Sequence, residues 1–181
     1  IYYDLGDFDK SLAIAKELYT DKEDLDIYLK SKLLDIMDDN YGQLTMYTQQ
    51  IEIRKEQKEL KINDNVAFYD IYANLGMYRK AMEHYIDNVK KTIEENDFYA
   101  QAEYYNNLGN YLRLDESAPT ALSHYKKAKG YIDVFMNLIT RKKSEKEIES
   151  ANLLKGIIEG NIGKCHVDLK QYKEAIPHLE S

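Results

Sequence analysis

Apolar positions recur at three- and four-residue spacing through most of the chain, and short polar stretches interrupt them. In "YYNNLGNYLRLDESAPTALSHYKKA", residues 104–128, Tyr105 and Leu108 share one helical face, as do Ala121, Tyr125 and Ala128. The polar segment between them predicts two helices folded back on each other. Carried along the chain, the same spacing predicts helices near 8–20, 24–38, 42–60, 63–74, 78–95, 98–114, 119–141, 145–168 and 172–181. Pro119 suits the first turn of its helix, where its missing N–H costs nothing.

The spacing of small and aromatic residues repeats as well. Gly109 is followed by Ala121, Tyr125 and Ala128, so small residues on two helices can lie together while Tyr105, Leu108 and Tyr125 fill the seam around them. The arrangement returns at Ile162, Gly163, Ala175 and Leu179, with Tyr172 in the turn, and again at Phe68, Tyr69, Ala81 and Tyr85. "NLGMYRKA" (74–81) and "DLGDFDKS" (4–11) repeat one turn, with Gly76 and Tyr78 matched by Gly6 and Phe8. An aromatic, Leu-Gly, a turn aromatic, Ala, an aromatic and Ala within about 34 residues resembles the tetratricopeptide repeat. The resemblance spans nearly the whole chain and is strongest over Tyr105–Ala128. It implies an all-α fold, a right-handed α-solenoid of four to five helical hairpins in one array over 1–181, with a concave groove lined by the first helix of each hairpin.

Intervals locate the departures. From Ser11 to Ala81 is 70 residues, two units of about 35, so a degenerate repeat is expected between them in "DIYLKSKLLDIMDDNYGQLTMYTQQIEIRKE". From Ala81 to Ala121 is 40, and from Ala121 to Ala175 is 54. The excess in the last interval predicts an extended hairpin over about 130–156, with a capping box at Ser144 and Glu147 and a tip near Lys142 and Lys143. Ten extra residues per helix would project it by about 15 Å.

Composition adds exclusions. A formal charge of −7 argues against direct nucleic-acid binding, and no apolar run approaches the length of a membrane span. The chain starts within a motif and stops within a helix, so it reads as part of something longer. The sequence leaves the compartment unknown, with the cytoplasm favoured and the periplasm open if an upstream signal exists. One cysteine excludes an internal disulfide framework. Phosphate-cradling glycine loops, zinc-binding cysteine pairs and nucleophile elbows are absent, and no cofactor or metal is implied. Neighbouring helical residues point in different directions, so Cys165 and His166 are expected as a packed thiol and its neighbour rather than a nucleophile and base. His84, His124 and His178 fall three residues after Ala81, Ala121 and Ala175 and read as framework positions. "TRKKSEK" (140–146) reads as a solvated tip, or as a site for an acidic partner. Of the seventeen tyrosines, Tyr72, Tyr78, Tyr85, Tyr105, Tyr125 and Tyr172 occupy packing positions, whereas Tyr104 and Tyr111 are candidates to face a ligand.

These readings imply a non-enzymatic scaffold that binds a protein or peptide segment along its concave face. The alternative is the ligand-sensing region of a larger bacterial regulator that controls an attached output domain. Residues −3, +1 and +4 from the glycine share a face, which singles out Asn106, Asn110 and Arg113. Asparagines can pair with an extended backbone and arginine can hold a carboxylate. Lys164 adds a second cation, and Asp70 gives an earlier unit an acidic position. The bland reading is that the asparagines only cap and solvate a polar groove.

Overall fold

The computed structural model describes residues 2–62, 66–115, 117–139 and 145–180. Among the described residues there are nine α-helices and no strand: α1 (Phe8–Tyr19), α2 (Ile27–Gln43), α3 (Tyr47–Glu59), α4 (Tyr69–Asn74), α5 (Tyr78–Val89), α6 (Phe98–Leu114), α7 (Ala118–Ile139), α8 (Glu145–Asp168) and α9 (Tyr172–Leu179). The fold is all-α and of helical-repeat type.

Aspartates start three of the helices. Asp7 accepts a hydrogen bond from Lys10 N, Asp26 from Leu29 N at 2.8 Å and Asp97 from Ala100 N at 2.9 Å, each meeting a backbone donor the helix leaves unpaired. The exits of α2, α3, α4, α6 and α8 share one motif, in which a backbone N–H reaches back to the carbonyl five residues earlier. It closes Tyr41–Met46, Gln57–Ile62, Tyr72–Met77, Leu112–Ser117 and His166–Gln171, and Asp7 N donates to Tyr2 O in the same way at 3.0 Å. The turn needs a left-handed residue, and Gly6 and Gly76 supply it at φ 77° and 72°. Thr45, Lys61 and Lys170 adopt it at φ 57°, 53° and 61° without a glycine. A β-branched residue there is strained, so the hydrogen bonds of the turn hold Thr45 in place.

Three helix boundaries differ from the sequence reading. The turn of the degenerate repeat lies at 44–46 rather than near 39–41, because Gly42 serves close approach inside α2, where an added Cβ would lie 3.0 Å from the Gln50 amide. Helix α4 begins at Tyr69, not 63. The Arg54 guanidinium takes the Ala67 carbonyl at 2.5 Å and holds it outside the helical ladder. Helix α5 stops at Val89, where a 3-10 turn over Lys90–Thr92 is capped by Thr92 Oγ1 donating to Val89 O. The expected tip at Lys142 and Lys143, and Ser144 of the capping box, lie outside the described residues.

The chain divides into two compact units, 1–77 and 78–181. In the first, Leu12, Ala15, Leu33, Leu34, Met37 and Tyr41 bring α1 and α2 together. Arg54 of α3 pairs with Asp38 through two parallel bonds, Nε to Oδ1 at 2.8 Å and Nη2 to Oδ2 at 3.1 Å. In the second, Ala121, Tyr125, Ala128 and Ile132 of α7 meet Ala102 of α6 and Ala151, Leu154, Ile158, Ile162 and Cys165 of α8. Gly109 lets α6 sit directly on the Tyr125 ring. The long ends of α7 and α8 are not bare projections: Ile132 and Ala151 are wholly buried, and Phe135 packs on Tyr99 with ring centres 5.3 Å apart.

Candidate functional site

Helices α6 and α8 are the first helices of successive hairpins, and polar side chains join them. Asn161 Nδ2 donates to Asn106 Oδ1 at 3.0 Å and to Asn110 Oδ1 at 3.2 Å, while the Tyr125 hydroxyl donates to the same Asn110 oxygen at 2.8 Å. Burial pushes the Tyr125 hydroxyl upward, so it stays a donor at neutral pH. Both asparagine carbonyls are therefore engaged within the protein, and Asn106 is only 5% exposed. Arg113 Nε donates to Asp168 Oδ2 at 2.7 Å, tying α6 to the end of α8. The sequence reading missed Asn161 and Asp168. Asn161 lies two residues before Gly163, but nothing in the spacing says which neighbour a polar side chain meets.

Lys164 is exposed on α8. It stands beside a stripe that the sequence reading also passed over. Leu153, Gly156, Ile157, Gly160, Lys164 and Val167 fall on one face of α8 by helical periodicity, next to the face carrying Asn161 and Asp168. Leu153, Ile157 and Val167 are exposed, and a Cβ added at Gly156 or Gly160 would meet none of the described residues within 4 Å. Asp70 belongs to the first unit, where its carboxylate accepts from Arg54 Nη1 at 2.8 Å.

The tyrosine assignments change in three places. Tyr104 is buried, with its ring stacked on Tyr85 at 5.7 Å, and Tyr111 packs on Tyr85 at 5.6 Å, so neither stands open as an anchor. Tyr172 is exposed rather than packed, because no described helix covers that side of α9. Cys165 is wholly buried, and burial pushes its thiol up to about 11, so at neutral pH it is protonated and a poor nucleophile. His166 Nδ1 donates to Gln171 Oε1 at 2.7 Å, and His124 Nδ1 to Thr120 O at 3.0 Å. Among the described residues no three His, Cys, Asp or Glu side chains converge as a metal site would require.

Glu159 is the buried charge of this region. It accepts from Lys129 of α7, and from His178 Nδ1 of α9 at 2.6 Å. His178 stacks on His166 with ring centres 5.7 Å apart. Burial alone would raise the Glu159 carboxyl, but the bonds from Lys129 and His178 outweigh it and hold the group below the usual carboxylate range. A lowered folded-state value stabilises the fold above the ordinary carboxylate range and is lost as pH falls below it. The Tm difference between the native chain and Glu159→Gln should thus be full at pH 7 and shrink as pH drops through about 4. Thermal melts from pH 7 to pH 3 check this, and a pH-independent difference would show that the charge contributes nothing.

No family model matches the sequence, and no curated protein matches it. Solved structures do match. The BtubC (BKLC) structure from P. vanneervenii aligns over 99% of this chain and 73% of its own, with a TM-score of 0.66 at 15% identity. MamA MSR-1 C2 aligns over 99% of this chain and 87% of its own, with a TM-score of 0.58 at 14% identity. At such identity the likeness is one of fold: the chain has a helical-repeat architecture. Among the described residues no helix is long and apolar enough to cross a membrane.

Proposed function

We propose that the chain is a non-enzymatic, tetratricopeptide-like scaffold that binds a protein or peptide segment along the first-helix face of α6 and α8. The helical-repeat fold shared with the BtubC and MamA structures supports a repeat scaffold. The observation that carries the reading is the α8 stripe. Each mid-helix glycine costs about 1 kcal/mol relative to alanine, and neither Gly156 nor Gly160 gives close approach to any of the described residues. Their benefit lies outside it: they let another backbone come near, between Leu153 and Ile157 on one side and Val167 on the other. Alongside, the half-buried Asn110 amide offers N–H to a peptide carbonyl, and Lys164 attracts a carboxylate. The fitting ligand is a segment that alternates apolar and acidic residues.

Asn106 and Asn110 also hold the fold, so substituting them would confuse binding with stability. Gly160→Trp and Lys164→Glu leave internal contacts alone. Peptides selected from a display library on the native 181-residue chain should bind each variant about ten-fold more weakly, the effect of about 1.4 kcal/mol, with a melt that is not lowered in either variant and is raised slightly by the loss of a mid-helix glycine in Gly160→Trp. Selected peptides indifferent to both substitutions would sink the assignment of this face.

A further inference from the structure

The polar row that joins α6 to α8 runs along their C-terminal halves, from Asn106 and Asn161 to Arg113 and Asp168. At their N-terminal ends the two helices line a cavity of about 360 Å³ instead, shared with Phe135 of α7. Its surface is mostly apolar. The half-buried rings of Tyr99 and Phe135 meet there, inclined at 58° with centres 5.3 Å apart.

The charges of the cavity come from opposite helices. Asp97 stands at the start of α6, while Lys146 and Ser150 share one face at the start of α8. One Asp97 oxygen caps Ala100 N at 2.9 Å, and the other has no partner among the described residues. Among the same residues the Lys146 and Ser150 side chains make no hydrogen bond or ion pair. Asp97 and Lys146 therefore line one cavity without pairing with each other. Glu103 feels the Asp97 charge and likewise has no cation bonded to it among the described residues, so the α6 end is negative. Glu147, the remaining charged residue of the lining, is already engaged within the chain.

These features select a ligand by its chemistry. A flat apolar body suits the two rings, an ammonium suits Asp97, and a carboxylate suits Lys146 with the Ser150 hydroxyl. A molecule with one charge would leave the opposite charge of the cavity dehydrated and unpaired, which costs affinity. The volume is that of a small-molecule site. We infer that this cavity binds a small aromatic zwitterion, an aromatic amino acid either free or in a short peptide with both termini charged. The site shares no residue with the α8 stripe, so it gives the scaffold a second, independent input.

The chain contains no tryptophan, so the indole fluorescence of a ligand can be followed without background. L-Tryptophan and the dipeptide Trp-Gly are titrated with the native 181-residue chain, beside tryptamine, which lacks the carboxylate, and indole-3-propionate, which lacks the ammonium. At least one zwitterion should bind saturably and about ten-fold or more tighter than either analogue; which of the two does so tells free amino acid from peptide. Asp97→Asn keeps a side chain that caps α6, and Lys146→Gln alters an exposed one, so neither should lower the melt. Each should weaken the zwitterion about ten-fold. Asp97→Asn should also weaken tryptamine but spare indole-3-propionate, and Lys146→Gln should do the reverse. No saturable binding of either zwitterion, an analogue that binds as tightly, or a zwitterion indifferent to both substitutions would each overturn the inference. The peptide reading of the α8 stripe would survive that failure, since Gly160→Trp and Lys164→Glu test it separately.

Discussion

Gly109→Leu should lower the Tm by roughly 5–15 °C, a loss of about 2–4 kcal/mol. A Cβ at this position would already lie 2.5, 2.7 and 2.9 Å from three carbons of the Tyr125 ring, inside any real van der Waals contact. The ring has nowhere to move. It is wholly buried in the core of the second unit, and its hydroxyl is fixed on Asn110. Two relaxations are available, and both cost: α6 can lift from α7, or the ring can swing out and break the Asn110–Asn161 row. Tyr125→Ala alone should cost about 3–5 kcal/mol as a cavity. Combined with Gly109→Leu it should cost less than the two added together, because leucine would enter the space the ring vacates. Strictly additive losses in urea melts would show that the two residues do not share one site.

Arg54→Met should destabilise the first unit by about 2–4 kcal/mol, because breaking a largely buried ion pair leaves its partner charge uncompensated. Arg54 joins three elements: it holds Asp38 on α2 through two bonds, Asp70 at the start of α4, and the Ala67 carbonyl between them. The Arg54 and Asp38 side chains are both mostly buried, whereas Asp70 is nearly half exposed, so Asp38 carries most of the penalty. Replacing both members, with Arg54→Met and Asp38→Leu, should recover much of the loss, since a buried pair is often matched by apolar residues of similar volume. Hydrogen exchange should show the Arg54→Met loss in α4 first. A single variant within 0.5 kcal/mol of the native chain, the usual range for a surface change, would demote this network to an exposed contact.

The repeat was legible in the sequence because it is written in side-chain size, and size acts locally. Gly109 opposite Tyr125, and Ala121 and Ala128 beside it, can be read from spacing alone, since two helices approach closely only where both surfaces are small or complementary. The glycine turns at Gly6 and Gly76 were legible for the same reason: each acts on backbone groups within a few residues. The turn at Thr45 was not, because its left-handed residue lacks the glycine that would announce it, and Gly42 was busy elsewhere.

Sequence by itself therefore determined the helices, their pairing into hairpins and the small-residue seams, all set by contacts of short range along the chain. Tertiary structure alone decided the polar site. Asn106, Asn110 and Arg113 were found from helical periodicity, but their partners Asn161 and Asp168 lie 51–55 residues away, and no local rule reaches that far. The same holds for exposure: Tyr104 is stacked inside and Tyr172 stands outside, although the repeat pattern suggested the reverse. A side chain's surroundings depend on which helix is stacked beside it and at what rotation, and that is settled only when the hairpins pack.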